Sequence, residues 1–342
     1  MSTINLTSTE IIVPYDELGV ISLLLRFNFI VTSFAGGILT TLLCFLVICK
    51  TEGTLRNYRS ILLICSFNDI FYWALDNALA PKLKQTDGVF MIKIEGPARY
   101  FSHDVRLILV SIYIFAVCVI CSQLPAQMYF RYHCLTRPRP LTTAKTVGLF
   151  LLSLVVASPN YYFVYMTLSS VDALRKKVDY NALWYKELPA PDVFFSDARS
   201  FYHIVYFVYG GLLISFSYAL SLFIGVQTLK KTRRLYDSCS DNTKRLQNQL
   251  NNYLTVQSVV PLVVCITPLL FVIVTGFLYI DIGRICMLSA VFLSWMPILN
   301  SLITMIVIIP YRKWILQRLL CFKKPNEASV ASFTQQDLSH HR

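Results

Sequence analysis

FIVTSFAGGILTTLLCFLVIC, residues 29–49, contains no charged side chain and is closed by Lys50. An α-helix needs about 20 consecutive apolar residues to cross the hydrocarbon of a bilayer, because each residue adds only ~1.5 Å of rise. The stretch therefore reads as a membrane span. Arg26, at its outer edge, is long enough to carry its charge back to the headgroups. Whether this is a lone anchor or the first of several spans is decided by what flanks it.

Similar apolar blocks recur along the chain. Spans are expected at roughly 22–49, 60–80, 104–129, 146–168, 204–229, 254–280 and 285–309. The second is the weakest, since it carries Asn68, Asp69, Asp76 and Asn77; it is retained because the alternation of loop charges loses its order without it. Hydrophobic residues make up 55% of the 342 and charged residues only 15%, against about 25% charged in an ordinary soluble domain, so a water-exposed surface cannot be built. The sequence predicts an all-α membrane protein. Residues 22–309 form a seven-transmembrane helix bundle, 1–21 an outer segment, and 310–342 a cytosolic tail expected to be disordered after about residue 325.

Charge sets the orientation. With the amino terminus outside and the carboxyl terminus cytosolic, the inner segments hold 19 Lys and Arg against 5 acids, whereas the outer segments hold 12 against 12. Basic residues are retained on the cytosolic side, so this orientation is strongly favoured and accounts for the net charge of +12. A nucleic-acid partner is not expected, because that would require a basic patch on a soluble domain. Residues 1–21 lack the pattern of a cleavable leader, and the first span is read as a signal anchor. The sequon at Asn5 agrees with an outside amino terminus and marks a glycosylation site. None of the ten cysteines falls in an outer segment, so extracellular disulfides are not expected. Cys321, just past the last span beside Lys323 and Lys324, is either a palmitoylation site or a free cytosolic thiol.

Catalysis is not expected. The five histidines do not pair at metal-ligand spacing within a span, and there is neither a Gly-rich phosphate loop nor a nucleophile elbow. No cofactor is implied. What remains is polar groups placed inside or at the ends of spans. Asp69 sits near the midplane, where a carboxylate must face the bundle interior and find a partner, with Asn68 and Asn300 as candidates. Asp76, seven residues on, lies on roughly the same face and either lines a ligand cavity or is wetted at the interface. Trp73 and Tyr206 belong to an aromatic-rich outer half that serves as interface belt or as pocket wall. Pro261 and Pro268 in the sixth span and Pro297 in the seventh remove backbone hydrogen bonds and should bend those helices. At the cytosolic ends, Arg131 and Tyr132 close the third span, Lys230, Lys231, Arg233 and Arg234 close the fifth, and Lys244 and Arg245 precede the sixth. That basic rim suits an acidic cytosolic partner or anionic lipid headgroups.

Taken in order, these motifs resemble the nematode seven-transmembrane serpentine chemoreceptors, most closely the srd and str types. The resemblance rests on Leu55-Arg-Asn-Tyr58 with Asn68-Asp69, Gly96-Pro97, Arg131-Tyr132, Gln257-Ser258 with Pro261 and Pro268, Pro297-x-x-Asn300, and Pro310-Tyr311-Arg312. It covers roughly residues 20–320. It implies a G-protein-coupled chemosensory receptor of the plasma membrane, in sensory-neuron cilia. An external small chemical would shift the bundle between states, and a heterotrimeric G protein would engage Arg131, Tyr132 and the basic rim. By the same analogy Arg131 would either hold the inactive state or touch the G protein, and Pro261, Pro268 and Pro297 would permit helix movement; the residues' own placement adds Asp69 and Asn300 to that conformational switch and makes Asp76, Trp73 and Tyr206 the candidate ligand pocket. The chain departs from many such receptors in having Ala98 where a cysteine often follows Gly-Pro, in lacking an Asn-Pro pair at Asn300-Ser301, and in having Phe130 rather than an acid before Arg131. The competing expectation is a multi-pass transporter or ligand-gated channel with Asp69 and Asp76 on its path, against which stands the lack of internal repeats.

Overall fold

The computed structural model describes residues 15–51, 58–137, 141–170, 180–189, 191–236, 259–260 and 262–319. Its long helices are α1 (Val20–Lys50), α2 (Arg59–Leu79), α3 (His103–Thr136), α4 (Thr143–Ser169) and α5 (Phe201–Tyr236). A π-helical turn at Leu262–Ile266 leads into α6 (Thr267–Phe277), and α7 (Gly283–Ser294), α8 (Met296–Val307) and α9 (Ile309–Leu319) follow. Among the described residues five helical stretches are long and apolar enough to cross a membrane: α1, α3, α4, α5 and α7 with α8. α2 is diluted by its carboxylates and amides, and Leu262–Phe277 is a shorter apolar helix whose predicted beginning lies outside the described residues. Together they make up the seven spans.

α3 is the central helix. It packs on α2, α4 and α5, and 72% of its apolar stretch is buried, against 28–50% for the other four stretches. The outward sides of the peripheral helices expose Phe27, Phe34, Ile38, Val155, Phe216 and Phe223, which is what a bilayer requires and water would penalise. α1 and α2 approach closely because Gly36 and Gly37 leave room for the Trp73 indole. A Cβ on Gly36 would lie 2.6 Å from Trp73 Cδ1, and the indole Nε1 donates to the Ser33 carbonyl at 3.0 Å.

The seventh span is broken. α7 ends at Ser294, Trp295 links it to α8, and Pro297 sits in the first turn of α8, where its missing N–H does no harm. In the sixth span Pro268 opens α6 directly after the π-helical turn, with Thr267 Oγ1 donating to the Leu262 carbonyl at 2.8 Å. Pro261, Gln257 and Ser258 lie outside the described residues. The tail begins as a helix: α9 is pinned to the end of α1 by the wholly buried Tyr311, whose hydroxyl bonds Thr51 Oγ1, and by Trp314, whose ring lies tilted at 5.9 Å from that of Phe45.

The outer face differs from the all-helical expectation. β2 (Pro81–Thr86) and β3 (Val89–Ile94) form a hairpin around Asp87-Gly88, both with positive φ as a tight two-residue turn demands. β5 (Val193–Asp197) pairs antiparallel with β3, completing a three-stranded sheet, and β1 (Tyr15–Asp16) pairs with β4 (Glu187–Leu188). Phe90, Ile92 and Phe194 on this sheet join the core cluster of the bundle, so the sheet plugs the outer mouth. Gly96 then turns the chain into the helical turn Pro97–Tyr100. A Cβ there would meet the Ala78 carbonyl oxygen at 2.4 Å, so no larger residue fits.

Candidate functional site

α2 carries both intramembrane carboxylates on one face, and both are buried, Asp69 at 6% exposure and Asp76 at 3%. Asp69 is met by α8: Asn300 Nδ2 donates to its Oδ1 at 3.1 Å. Of the two candidate partners it is thus Asn300 that binds Asp69, while Asn68 lines the same space without bonding to the carboxylate. That space is a narrow cavity of about 40 Å³ bounded by Asp69, Asn68 and Asn300 at one end and by Gln123, Gln127 and Arg131 of α3 toward the other. Apolar side chains such as Leu43, Ile120 and Met296 share its lining, and with these polar groups it has room for about three waters. Gln123, Gln127 and Arg131 are spaced four apart, so one stripe of α3 faces α2 and α8. Arg131 is 9% exposed and lies inside this stripe rather than out on a solvated rim.

Asp76 belongs to a second polar chain. Tyr113 Oη donates to its Oδ1 at 3.1 Å, and Tyr113 stacks on Tyr72, ring centroids 5.5 Å apart, with the two hydroxyls at 3.1 Å. Ser294, at the end of α7, faces the same carboxylate. The next residue, Trp295, donates its Nε1 to Asn28 Oδ1 on α1 at 3.0 Å. The break in the seventh span is therefore held on one side by α1 and on the other by the Asp76 group, one and a half turns before Asn300.

The three residues expected to form a ligand pocket are engaged in different contacts. Trp73 is spent on the α1–α2 contact, Tyr206 packs beneath the sheet against Phe207 at 4.7 Å, and Asp76 is enclosed by Tyr113 and Ser294. Open space at the outer end includes a cleft of about 440 Å³ between α1, α7 and the hairpin. Sequence reasoning missed Gln123, Gln127, Tyr113 and the Asn28–Trp295 pair. The four-residue spacing from Gln123 to Arg131 was the available signal for the first two.

At the cytosolic side, Tyr132 is half-buried, Lys230 and Lys231 are exposed near the end of α5, and Arg233 and Arg234 lie in its last turns. Lys244, Arg245, Asn5 and Cys321 lie outside the described residues.

The sheet over the mouth is held by buried charge. Lys82 Nζ lies 2.8 Å from Glu95 Oε1, Lys93 Nζ 3.0 Å from the same oxygen, and Lys93 also pairs with Glu187 of β4. Burial works against ionising Glu95, but Lys82 and Lys93 win and hold it below its ordinary value. Lys93 is likewise penalised by burial and held above its ordinary value by Glu187 and Glu95. The described cysteines are all free, so β3–β5 pairing and these ion pairs do the fastening expected of an outer disulfide elsewhere.

The pattern of the family described as serpentine type 7TM GPCR chemoreceptor Str matches residues 26–316. The chain belongs to that family. Membership makes this serpentine receptor a non-enzymatic multi-pass membrane protein. Among solved structures, the crystal structure of squid rhodopsin is similar in fold, with a TM-score of 0.54 and 11% identity over 89% of this chain and 87% of that one. At that identity the likeness speaks for the fold alone. No curated protein sequence matches the chain.

Proposed function

We propose that this serpentine receptor is a chemosensory receptor that binds an external small chemical and activates a heterotrimeric G protein by a shift of its helix bundle. The observation that carries the reading is the polar stripe from the Asp69–Asn300 contact to Arg131. It ties the segment just after the α7–α8 break to the cytosolic end of the central helix. A ligand with higher affinity for one arrangement of that break shifts the population, and the change in stripe hydration and packing is read at Arg131. Lys230, Lys231, Arg233 and Arg234, with Lys244 and Arg245, supply positive charge for an acidic face of the G protein. The switch residues are Asp69, Asn300, Pro268 and Pro297, with Pro261 assigned by family likeness. Asn5 is assigned as a glycan site and Cys321 as a palmitoylation site beyond α9. The receptor is assigned to the plasma membrane, and by family likeness to sensory cilia.

The test is expression in cells carrying promiscuous G proteins. Second messengers are read across a chemical panel, and surface delivery is confirmed by an amino-terminal tag. Arg131→Ala is expected to abolish the response while leaving surface expression within about twofold. Normal ligand-dependent signalling from well-expressed Arg131→Ala refutes the assigned role, and chemically evoked current or uptake without a G protein refutes the receptor reading.

A further inference from the structure

The outer mouth of the bundle is filled by the sheet, and a substantial outer cavity lies to one side. It is the cleft of about 440 Å³ between α1, the hairpin and α7, within the ~300–1,000 Å³ range of small-molecule sites. Its inner walls are apolar, with Phe29 and Ile30 from α1 facing Met287 and Val291 from α7. Its mouth is basic. Lys82 is neutralised internally by Glu95 at 2.8 Å and bonded to Ser22 Oγ at 2.6 Å. Arg26 has no hydrogen-bond or ion-pair partner among the described residues, and Arg99 has only its neighbour Tyr100, whose hydroxyl it bonds and whose ring it overlies at 4.6 Å. Two guanidinium groups thus stand without an ion pair at the entrance to an apolar slot, where the lining carboxylate, Glu95, is taken by Lys82 and Lys93.

The entrance also opens to water. Arg26, Glu95, Arg99 and Tyr100 line both the cleft and an outer vestibule of about 620 Å³ walled by β1, β4 and Asp192, so the two spaces adjoin. The deep end of the cleft reaches Asn28 and Ser294. Asn28 holds Trp295 and Ser294 faces Asp76, so an occupant rests against the break in the seventh span.

We propose that this cleft recognises an amphipathic organic acid, its carboxylate between Arg26 and Arg99 and its apolar body along Phe29, Met287 and Val291. The inference deepens the receptor reading, on which its signalling consequence rests, while binding is measured without any G protein. Guanidinium groups suit a carboxylate through paired charge-assisted hydrogen bonds, and the slot behind them rewards apolar length. A lipid phosphate offers related chemistry, and the experiment separates the two.

Full-length receptor in phosphatidylcholine nanodiscs is titrated with straight-chain carboxylates from butanoate to decanoate, and with the methyl ester and alkylammonium of each length. Saturable carboxylate binding that strengthens with chain length is expected, with esters and ammonium ions weaker by about tenfold or more. Arg26→Gln with Arg99→Gln should weaken it by a similar factor, Val291→Trp should block the slot, and Arg199→Gln on the far side of the sheet should change nothing. Equal binding of the esters, or indifference to the arginine pair in a receptor that stays monodisperse, overturns the proposal. So does loss of carboxylate binding when phosphatidylglycerol replaces part of the lipid, which makes the arginines a headgroup site. Carboxylates that bind without activating a G protein leave the site standing and count against the receptor reading. Activation by other chemicals with no carboxylate binding does the reverse.

Discussion

Replacing Glu95 by Gln should loosen the sheet that closes the outer mouth. Glu95 is 25% exposed and sits between Lys82, at 5%, and Lys93, at 16%. Without its charge Lys93 keeps Glu187, but Lys82 is left with a neutral amide and Ser22 in a nearly buried site. Removing one partner of a buried pair costs ~3–5 kcal/mol. The partial exposure of Glu95 and the acceptor oxygen that Gln retains reduce this to about 2 kcal/mol, or about thirtyfold in a local opening equilibrium. Hydrogen exchange of full-length receptor in nanodiscs reads that equilibrium directly. Amides of β3 and β5 should exchange about thirtyfold faster, whereas those in the middle of α3 should not change. The same network predicts a pH window. Glu95 is held below its ordinary 4.5, so its contribution is present above 4.5 and is lost as pH falls through the lowered value. Lys93 is held above its ordinary 10.5, so its contribution is present below 10.5 and is lost as pH rises through the raised value. Protection of the sheet, corrected for intrinsic exchange, should therefore stay level across the neutral range and fall in strong acid. Unchanged exchange in Glu95→Gln, with Lys82 still unpaired by any other acid, refutes the claim that buried charge fastens the sheet.

Gly36→Leu drives a side chain into the Trp73 indole and should cost about 1–3 kcal/mol, seen as a lowered thermal midpoint in detergent, with Gly36→Ala milder. Tyr311→Phe removes the bond to Thr51 while keeping the ring, so α9 should loosen by about 1 kcal/mol and its amides exchange severalfold faster. Cys121 on α3 and Cys265 in the π-helical turn have sulfurs 3.5 Å apart, against ~2.05 Å in a disulfide. A membrane-permeant oxidant should join them after a small shift, a link absent in Cys121→Ser and detectable by mass spectrometry. If α6 moves away from α3 on activation, an activating chemical should slow the joining, and an unchanged rate counts against movement at that turn.

The spans were legible because the bilayer imposes one requirement on every segment crossing it, and composition records that requirement residue by residue. Even α2, weak by hydropathy, was recoverable from the charge alternation of its neighbours. What was not read was the sheet, although the signal was present: Asp87-Gly88 is flanked by Leu83, Gln85 and Phe90, Ile92 in period two. A short hairpin over a bundle mouth has no apolar length of the kind that marks a span. The ends of helices were also underestimated. α3 runs to Thr136 and α5 to Tyr236 because a helix leaving the bilayer continues while its polar side chains can face water. Hydropathy ends where the lipid ends, and the helix does not.

The site divides along the same line. Asp69 and Asn300 were found because a buried carboxylate is costly and so demands a partner, a local argument that needs no three-dimensional knowledge. Trp73, Asp76 and Tyr206 were grouped by depth alone, and depth does not say which way a side chain points. On α2, Trp73 and Asp76 are three residues apart and so only about 60° apart around the helix, yet at the seam between two neighbouring helices that offset is enough for Trp73 to meet α1 and Asp76 to meet α3. The departures from the family pattern also acquire a physical reading. A chain without the outer disulfide has to hold its second outer loop by backbone pairing and buried charge. A sheet held in that way fills the space above the core and leaves the remaining volume at the side, between α1 and α7. The position of the cleft beside Arg26 is then a consequence of this way of closing the mouth.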